Sequence, residues 1–102
     1  MDISKWEPQY TFRTKTLAEE FCMKLRQEAG KYDIITVNDI LREVKEPIME
    51  DGFHYGYHKK EIRKLKAEKD GKQYVVRFPA PGRMIRDRNG YWTTETTGKG
   101  GG

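Results

Sequence analysis

The chain has a single cysteine, no long apolar run and no apolar N-terminal segment. Cys22 is alone, so no disulfide can form within the chain. No run approaches the roughly 18 apolar residues that a membrane-spanning helix needs. The first residues place Asp2 and Lys5 around a single Trp6, which is not the pattern of a secretory signal. We therefore expect a cytoplasmic protein of a bacterial host cell, with no membrane partner.

Apolar residues are also scarce, because they make up only 35% of the 102 residues and charged residues make up another 35%. Such a composition predicts one small domain with a thin core and much solvated surface. The same composition is also compatible with a disordered chain. Aromatic residues at 12% and clear periodic segments argue against it for most of the chain.

Charge is distributed unevenly along the chain. Residues 1–54 carry eight Lys/Arg and eleven Asp/Glu, whereas residues 55–102 carry twelve Lys/Arg and five Asp/Glu. A basic half favours an anionic partner, either nucleic acid or an acidic protein face. The alternative is a solvated basic surface that only aids solubility, since exposed strands often carry lysines.

The first half predicts an amphipathic helix after a short strand around Tyr10 and Phe12. Thr16 and Glu19 have the spacing of a capping box at the helix start, and Gly30 is placed to end the helix. Its apolar stripe consists of Leu17, Phe21, Cys22 and Leu25.

A second amphipathic helix begins at Thr36, where Asp39 favours the positive end of the helix. Pro47 is expected to end it, because the residue before a proline avoids helical geometry. The apolar positions follow helical spacing and are Val37, Ile40, Leu41 and Val44.

Residues 59–78 allow two interpretations. Asp70-Gly71 is a hairpin turn signal, and it predicts a β-hairpin of residues 61–69 with 72–78. The Lys/Glu-rich residues 59–70 also have good helix propensity. A third helix followed by a strand would make the protein a winged helix, whose third helix enters a DNA groove.

We favour the hairpin and predict an α+β fold in which two amphipathic helices pack on a small antiparallel β-sheet. Residues 1–81 form this domain. Residues 82–102 are expected to be a weakly ordered tail that carries Arg83, Arg86 and Arg88. Tyr91 and Trp92 give this tail one apolar group that could pack against the domain.

The sequence holds no set of residues that suggests catalysis or a cofactor. His54 and His58 have the spacing of a metal site on a helix, but the aromatic residues and Gly56 between them favour a strand. The two rings would then lie about 13 Å apart. Cys22 lies in an apolar stripe without a base partner. We expect no enzyme, no metal and no cofactor.

Three segments resemble small uncharacterised accessory proteins from prophages of Gram-positive bacteria. The letters KYDIITVNDIL of residues 31–41 are similar to that family's K-Y-G-x-V-T-V-x-D-L segment. Residues 55–57 match an aromatic-Gly-Trp segment, and residues 71–81 match a Gly-Tyr-led strand that closes in L-P-x-P. The resemblance spans residues 17–81 and departs at Asp33, at Tyr57 and at residues 72–73. It implies a phage accessory protein, favours the hairpin, and carries over no catalytic residue.

The leading hypothesis is therefore a non-enzymatic phage protein that binds nucleic acid or a nucleoprotein through a basic hairpin. Lys64, Lys66 and Arg77 would share one exposed face of that hairpin. A protein-binding inhibitor of a host defence system, such as a CRISPR-associated nuclease, is the first alternative, and a minor virion or assembly component is the second. The candidate binding residues are Lys59, Lys60, Arg63, Lys64, Lys66, Lys69, Lys72 and Arg77, with Tyr55 and Tyr57.

Overall fold

The computed structural model describes residues 3–95. Within this range helices and strands are mixed along the chain, so the predicted α+β class is confirmed. A short 3₁₀ helix, Ile3–Lys5, precedes the regular elements. These are β1 (Gln9–Phe12), α1 (Lys15–Tyr32), β2 (Ile34–Thr36), α2 (Val37–Glu43), β3 (Tyr55–His58), α3 (Lys59–Ile62), β4 (Glu68–Asp70), β5 (Gln73–Arg77), β6 (Gly82–Arg86) and β7 (Trp92–Thr94).

The strands form two small antiparallel sheets rather than the one that was predicted. One sheet has the order β1-β5-β4 and the other has the order β2-β3-β6-β7. In the second sheet, β2 and β3 approach closely at Gly56, where a Cβ would lie 2.2 Å from the carbonyl oxygen of Ile35. Only glycine fits this pairing without moving the backbone.

Helix α1 begins and ends at residues other than those predicted. Thr14 is its N-cap, and the Thr14 hydroxyl accepts a hydrogen bond from the Leu17 amide at 3.1 Å. The predicted capping box of Thr16 with Glu19 was wrong, because Lys15 and Thr16 are already helical. The helix also runs past Gly30 to Tyr32, and it ends at Asp33, which takes the left-handed conformation (φ 69°).

Helix α2 begins where the sequence predicted. The Thr36 hydroxyl accepts from the Asp39 amide at 3.1 Å, and the Thr36 amide donates to the Asp39 carboxylate at 3.0 Å. This reciprocal pair satisfies two amides at the helix start. The helix ends at Glu43, earlier than Pro47, because Lys45 adopts a left-handed backbone (φ 61°).

The main core lies between α1 and the two sheets. Cys22 is buried in it, as predicted, and burial raises the pKa of its thiol. Leu17 does not belong to the buried stripe, since it is 48% exposed and Ala18 takes its place. The buried members are Ala18, Phe21, Cys22, Leu25, Ala29, Ile35, Ile40, Tyr57, Ile62, Leu65, Val76 and Phe78.

The first part of the expected tail contributes two strands, β6 and β7, which pair with each other. Their connecting turn is held by Asp87, whose carboxylate accepts hydrogen bonds from the amides of Asn89 and Tyr91 at 2.9 and 3.0 Å. Gly90 completes the turn with a positive φ of 83°. Residues 96–102 of the predicted tail lie outside the described residues.

Candidate nucleic-acid interface

Residues 59–66, which we call the cationic segment, begin as a single helical turn and not as a strand. His58 caps α3 through Nδ1, which accepts from the Lys60 amide at 3.1 Å, and the His58 amide in turn donates to the Glu61 carboxylate at 2.9 Å. Ile62 and Leu65 are both buried, and residues three apart reach the same core only in a helical turn. The predicted hairpin arm of residues 61–69 is therefore reduced to β4, and the third helix of the winged-helix alternative is reduced to four residues.

The buried pair of Ile62 and Leu65 leaves the basic side chains of the cationic segment facing outward. A guanidinium nitrogen of Arg26 in α1 also donates to the Leu65 carbonyl, which holds the segment against α1. Within residues 3–95, four basic residues of this segment are exposed and have no ion-pair partner. They are Lys60, Arg63, Lys64 and Lys66.

Two other predicted cations are engaged in ion pairs. Lys59 contacts Asp33 at 2.8 Å, and the hydrogen bond from Lys59 lowers the pKa of the Asp33 carboxyl. Arg77 contacts Glu68 at 2.7 Å across the β4–β5 hairpin. These contacts leave both side chains less available to an external anion.

The β4–β5 hairpin exists, with Gly71 in its turn (φ 64°), but it is shorter than predicted. Glu68 and Asp70 lie on it beside Lys69 and Lys72, so its charge is largely compensated. Lys64 lies in the turn after α3 and Lys66 lies in the loop before β4, so they do not share a strand face with Arg77. The larger excess of positive charge thus lies in the cationic segment rather than in the hairpin.

The two predicted stacking tyrosines have different environments. Tyr57 is fully buried, and its hydroxyl donates to the Pro79 carbonyl at 2.6 Å, so its ring has no free face for a base. Burial, with a smaller effect of Glu61, raises the pKa of Tyr57. Tyr55 is half-buried and lines an open pocket of about 490 Å³ whose other residues are Asp51, His54, Arg83 and Met84.

Two exposed aromatic residues, Tyr91 and Trp92, lie near cations on the β6–β7 hairpin, in the region expected to be a weakly ordered tail. The Arg86 guanidinium lies over the Trp92 ring, 4.5 Å from its centroid. The two residues are cross-strand partners. The available sequence signal was the Asp87–Gly90 turn between them, which marks a hairpin.

The described residues hold no group of three or more His, Cys, Asp or Glu side chains that could bind a metal ion. His58 instead caps α3, and burial together with Lys60 and Lys59 lowers its pKa. His54 lies in the loop before β3, where its amide donates to the Asp51 carbonyl at 3.0 Å. The two histidines thus make separate local hydrogen bonds, one at the start of α3 and one in the loop before β3.

Comparison of the chain with protein-family models, curated proteins and solved structures finds no match in any of the three. Among residues 3–95, no helix is both long and apolar enough to cross a membrane.

Proposed function

We propose that the protein binds nucleic acid through its cationic segment and catalyses no reaction. The observation that supports this proposal is the cluster of four exposed, uncompensated cations within seven residues of chain. Ile62 and Leu65 anchor the backbone that carries them, so the cations are presented from a fixed turn rather than from a loose loop.

A surface of this kind suits phosphate oxygens. Lysine and arginine side chains neutralise phosphates and release the counterions that the nucleic acid had condensed, and this release drives binding. Because Lys60, Arg63 and Lys64 have the i, i+3, i+4 spacing of a helical turn, their side chains lie close enough to meet neighbouring phosphates. The binding would be sequence-tolerant and strongly dependent on salt.

The proposed interface lies N-terminal to the β4–β5 hairpin, and it includes residues that the sequence analysis had assigned to the first arm of the predicted hairpin. Lys69 and Lys72 belong to the candidate set, but Glu68 and Asp70 surround them. Exposed hairpin lysines also serve to block edge-to-edge pairing, which requires no ligand. We assign these two lysines a minor part in binding.

The decisive experiment compares two double charge reversals that change net charge equally. Lys64→Glu with Lys66→Glu alters the cationic segment, and Lys69→Glu with Lys72→Glu is the matched control on the hairpin. Fluorescence anisotropy with labelled DNA and RNA at ~50 mM salt should show a large loss of affinity for the first variant and a much smaller loss for the control. The wild-type affinity should fall steeply with salt, with a slope of about 0.7–0.9 per phosphate contact.

Equal loss in both variants would indicate a diffuse charge effect and contradict the assignment to this segment. If the wild-type protein bound no nucleic acid at ~50 mM salt, the proposal would be wrong. A stoichiometric complex with one acidic host protein would then favour the inhibitor alternative. The prophage resemblance belongs to the same proposal, and it predicts phage genes as neighbours of the coding sequence.

A further inference from the structure

The β6–β7 hairpin carries a second group of exposed side chains that the cationic segment does not include. Arg83, Arg86 and Arg88 are all exposed on it. Trp92 is 37% exposed and Tyr91 is 62% exposed on the same hairpin. Cations beside exposed aromatic rings are the combination that binds unpaired nucleic acid, because phosphates meet the charge while bases stack on the rings.

The geometry of Arg86 and Trp92 suits stacking in particular. The guanidinium lies over the indole at 4.5 Å from its centroid, and it also donates to the Gly90 carbonyl at 3.4 Å. Two contacts therefore hold the arginine in place before any ligand arrives. A guanidinium plane backed by an aromatic ring offers its other face to a base, as arginine planes do in RNA recognition.

The turn of the β6–β7 hairpin is already held by hydrogen bonds before a ligand binds. Asp87 is an acidic residue within this hairpin, and its carboxylate is occupied by the amides of Asn89 and Tyr91. These hydrogen bonds set the backbone that presents the Tyr91 ring. Since the turn needs no ordering upon binding, the entropic cost of association is reduced.

The hairpin borders the cationic segment. Trp92 and Thr94 are two apart on β7, so they project from the same face, about 7 Å apart along the strand. The Thr94 hydroxyl lies 3.5 Å from the Glu61 carboxylate, within the cationic segment. The hairpin and the cationic segment are thus in contact through Thr94 and Glu61.

We propose that the β6–β7 hairpin is a stacking platform for unpaired bases, and that the ligand of this protein is single-stranded nucleic acid. The inference rests on the proposed function and specifies its ligand. In a duplex each base is covered by its neighbours above and below, so Trp92, Arg86 and Tyr91 would find no free base face. A single strand supplies such faces at every nucleotide.

The test measures affinity for a labelled oligothymidylate and for a duplex of equal length. The wild-type protein should prefer the single strand. Trp92→Leu keeps apolar volume but removes the aromatic face, and it should weaken single-strand binding roughly 5- to 100-fold while changing duplex binding little. Trp92→Phe retains a ring and should keep most of the affinity.

A second readout avoids any change in the hairpin. The chain has two tryptophans, so Trp6→Phe leaves Trp92 as the remaining indole fluorophore. Addition of the oligothymidylate should quench its fluorescence, and addition of the duplex should not. Thermal melts of all variants verify that the fold is retained.

Negative results in these experiments distinguish failure of the stacking platform from failure of the cationic segment. If Trp92→Leu binds the single strand as the wild type does and Trp92 fluorescence is unchanged, the stacking platform is wrong. Loss of binding in the Lys64→Glu, Lys66→Glu variant would still support the cationic segment in that case. If neither single strands nor duplexes bind the wild-type protein, both proposals are overturned.

Discussion

The side chain of Asn38 binds the backbone of Met49 at both of its polar groups. Asn38 Nδ2 donates to the Met49 carbonyl at 2.9 Å, and Asn38 Oδ1 accepts from the Met49 amide at 2.8 Å. Asn38 is fully buried at the start of α2, and its own amide donates to the Gly52 carbonyl at 3.1 Å. One residue of α2 therefore holds the loop that leads to β3.

Replacing Asn38 with alanine should destabilise the protein by about 3 kcal/mol, because two backbone groups of Met49 would lose their partners in a buried site. Urea denaturation followed by circular dichroism measures this change in the free energy of unfolding. Asn89→Ala is the matched control, because Asn89 is exposed, and it should change stability by less than about 0.5 kcal/mol. Equal stability of the two variants would contradict the role of Asn38.

Two glycine-to-alanine substitutions should act in opposite directions. Gly56→Ala would place a methyl group against the Ile35 carbonyl and should cost about 3 kcal/mol through displacement of β3 from β2. Gly30 lies within α1 with no atom within 4 Å of an added Cβ, so Gly30→Ala should stabilise the protein by about 0.5–1 kcal/mol. Melting temperatures of both variants check the prediction, and a tolerated Gly56→Ala would refute the close pairing.

Tyr10 and Tyr57 should respond differently to loss of the hydroxyl. The buried Tyr10 hydroxyl has no hydrogen-bond partner among the described residues, and burial, with a smaller effect of Glu46, raises its pKa to about 12. Tyr10→Phe should therefore be neutral or stabilise the protein by about 1 kcal/mol. Tyr57→Phe removes the bond to Pro79 and should destabilise it by about 1 kcal/mol. Urea midpoints that shift in the same direction for both variants would contradict this contrast.

The free energy of unfolding should decrease as the pH falls below about 6.5, the ordinary pKa of a histidine side chain. The pKa of His58 is lowered in the folded state by burial, then by Lys60 and Lys59, which outweigh the opposite effect of Asp33 and Glu61. As the pH falls, the unfolded chain therefore binds the proton at a higher pH than the folded protein does. The stability that neutral His58 contributes is fully present above about pH 6.5, and it is lost as the pH falls through the lower pKa of the folded state. Protonation also removes the Nδ1 acceptor that caps α3.

Melting temperatures at pH 7.5 and 5.5 test this dependence. The melting temperature of the wild type should be lower at pH 5.5 than at pH 7.5, and that of His58→Asn, which keeps a neutral capping side chain, should decrease less. His54→Gln is the matched control and should follow the wild type. The Asp33 carboxyl, whose pKa is lowered by Lys59, contributes stability that is lost only at more acidic pH, below this window.

Local features of the sequence correctly predicted several parts of the fold. Thr36 begins α2 as expected, and Asp39 lies in the first turn of the helix. The Asp70-Gly71 turn and the burial of Cys22 also follow from nearby residues. These features depend on contacts within one helical turn or one hairpin turn, so a sequence window of a few residues contains their cause.

The tertiary structure alone decided which candidate residues are available to a ligand. Residues 59–66 have both helical and strand character, and they become a helical turn because Ile62 and Leu65 enter the core beside α1. Tyr57 alternates with polar neighbours, yet it is fully buried and bound to Pro79, 22 residues away. Lys59 is paired with Asp33, 26 residues earlier. No local pattern contains these partners, because packing brings them together only after the sheets and α1 assemble.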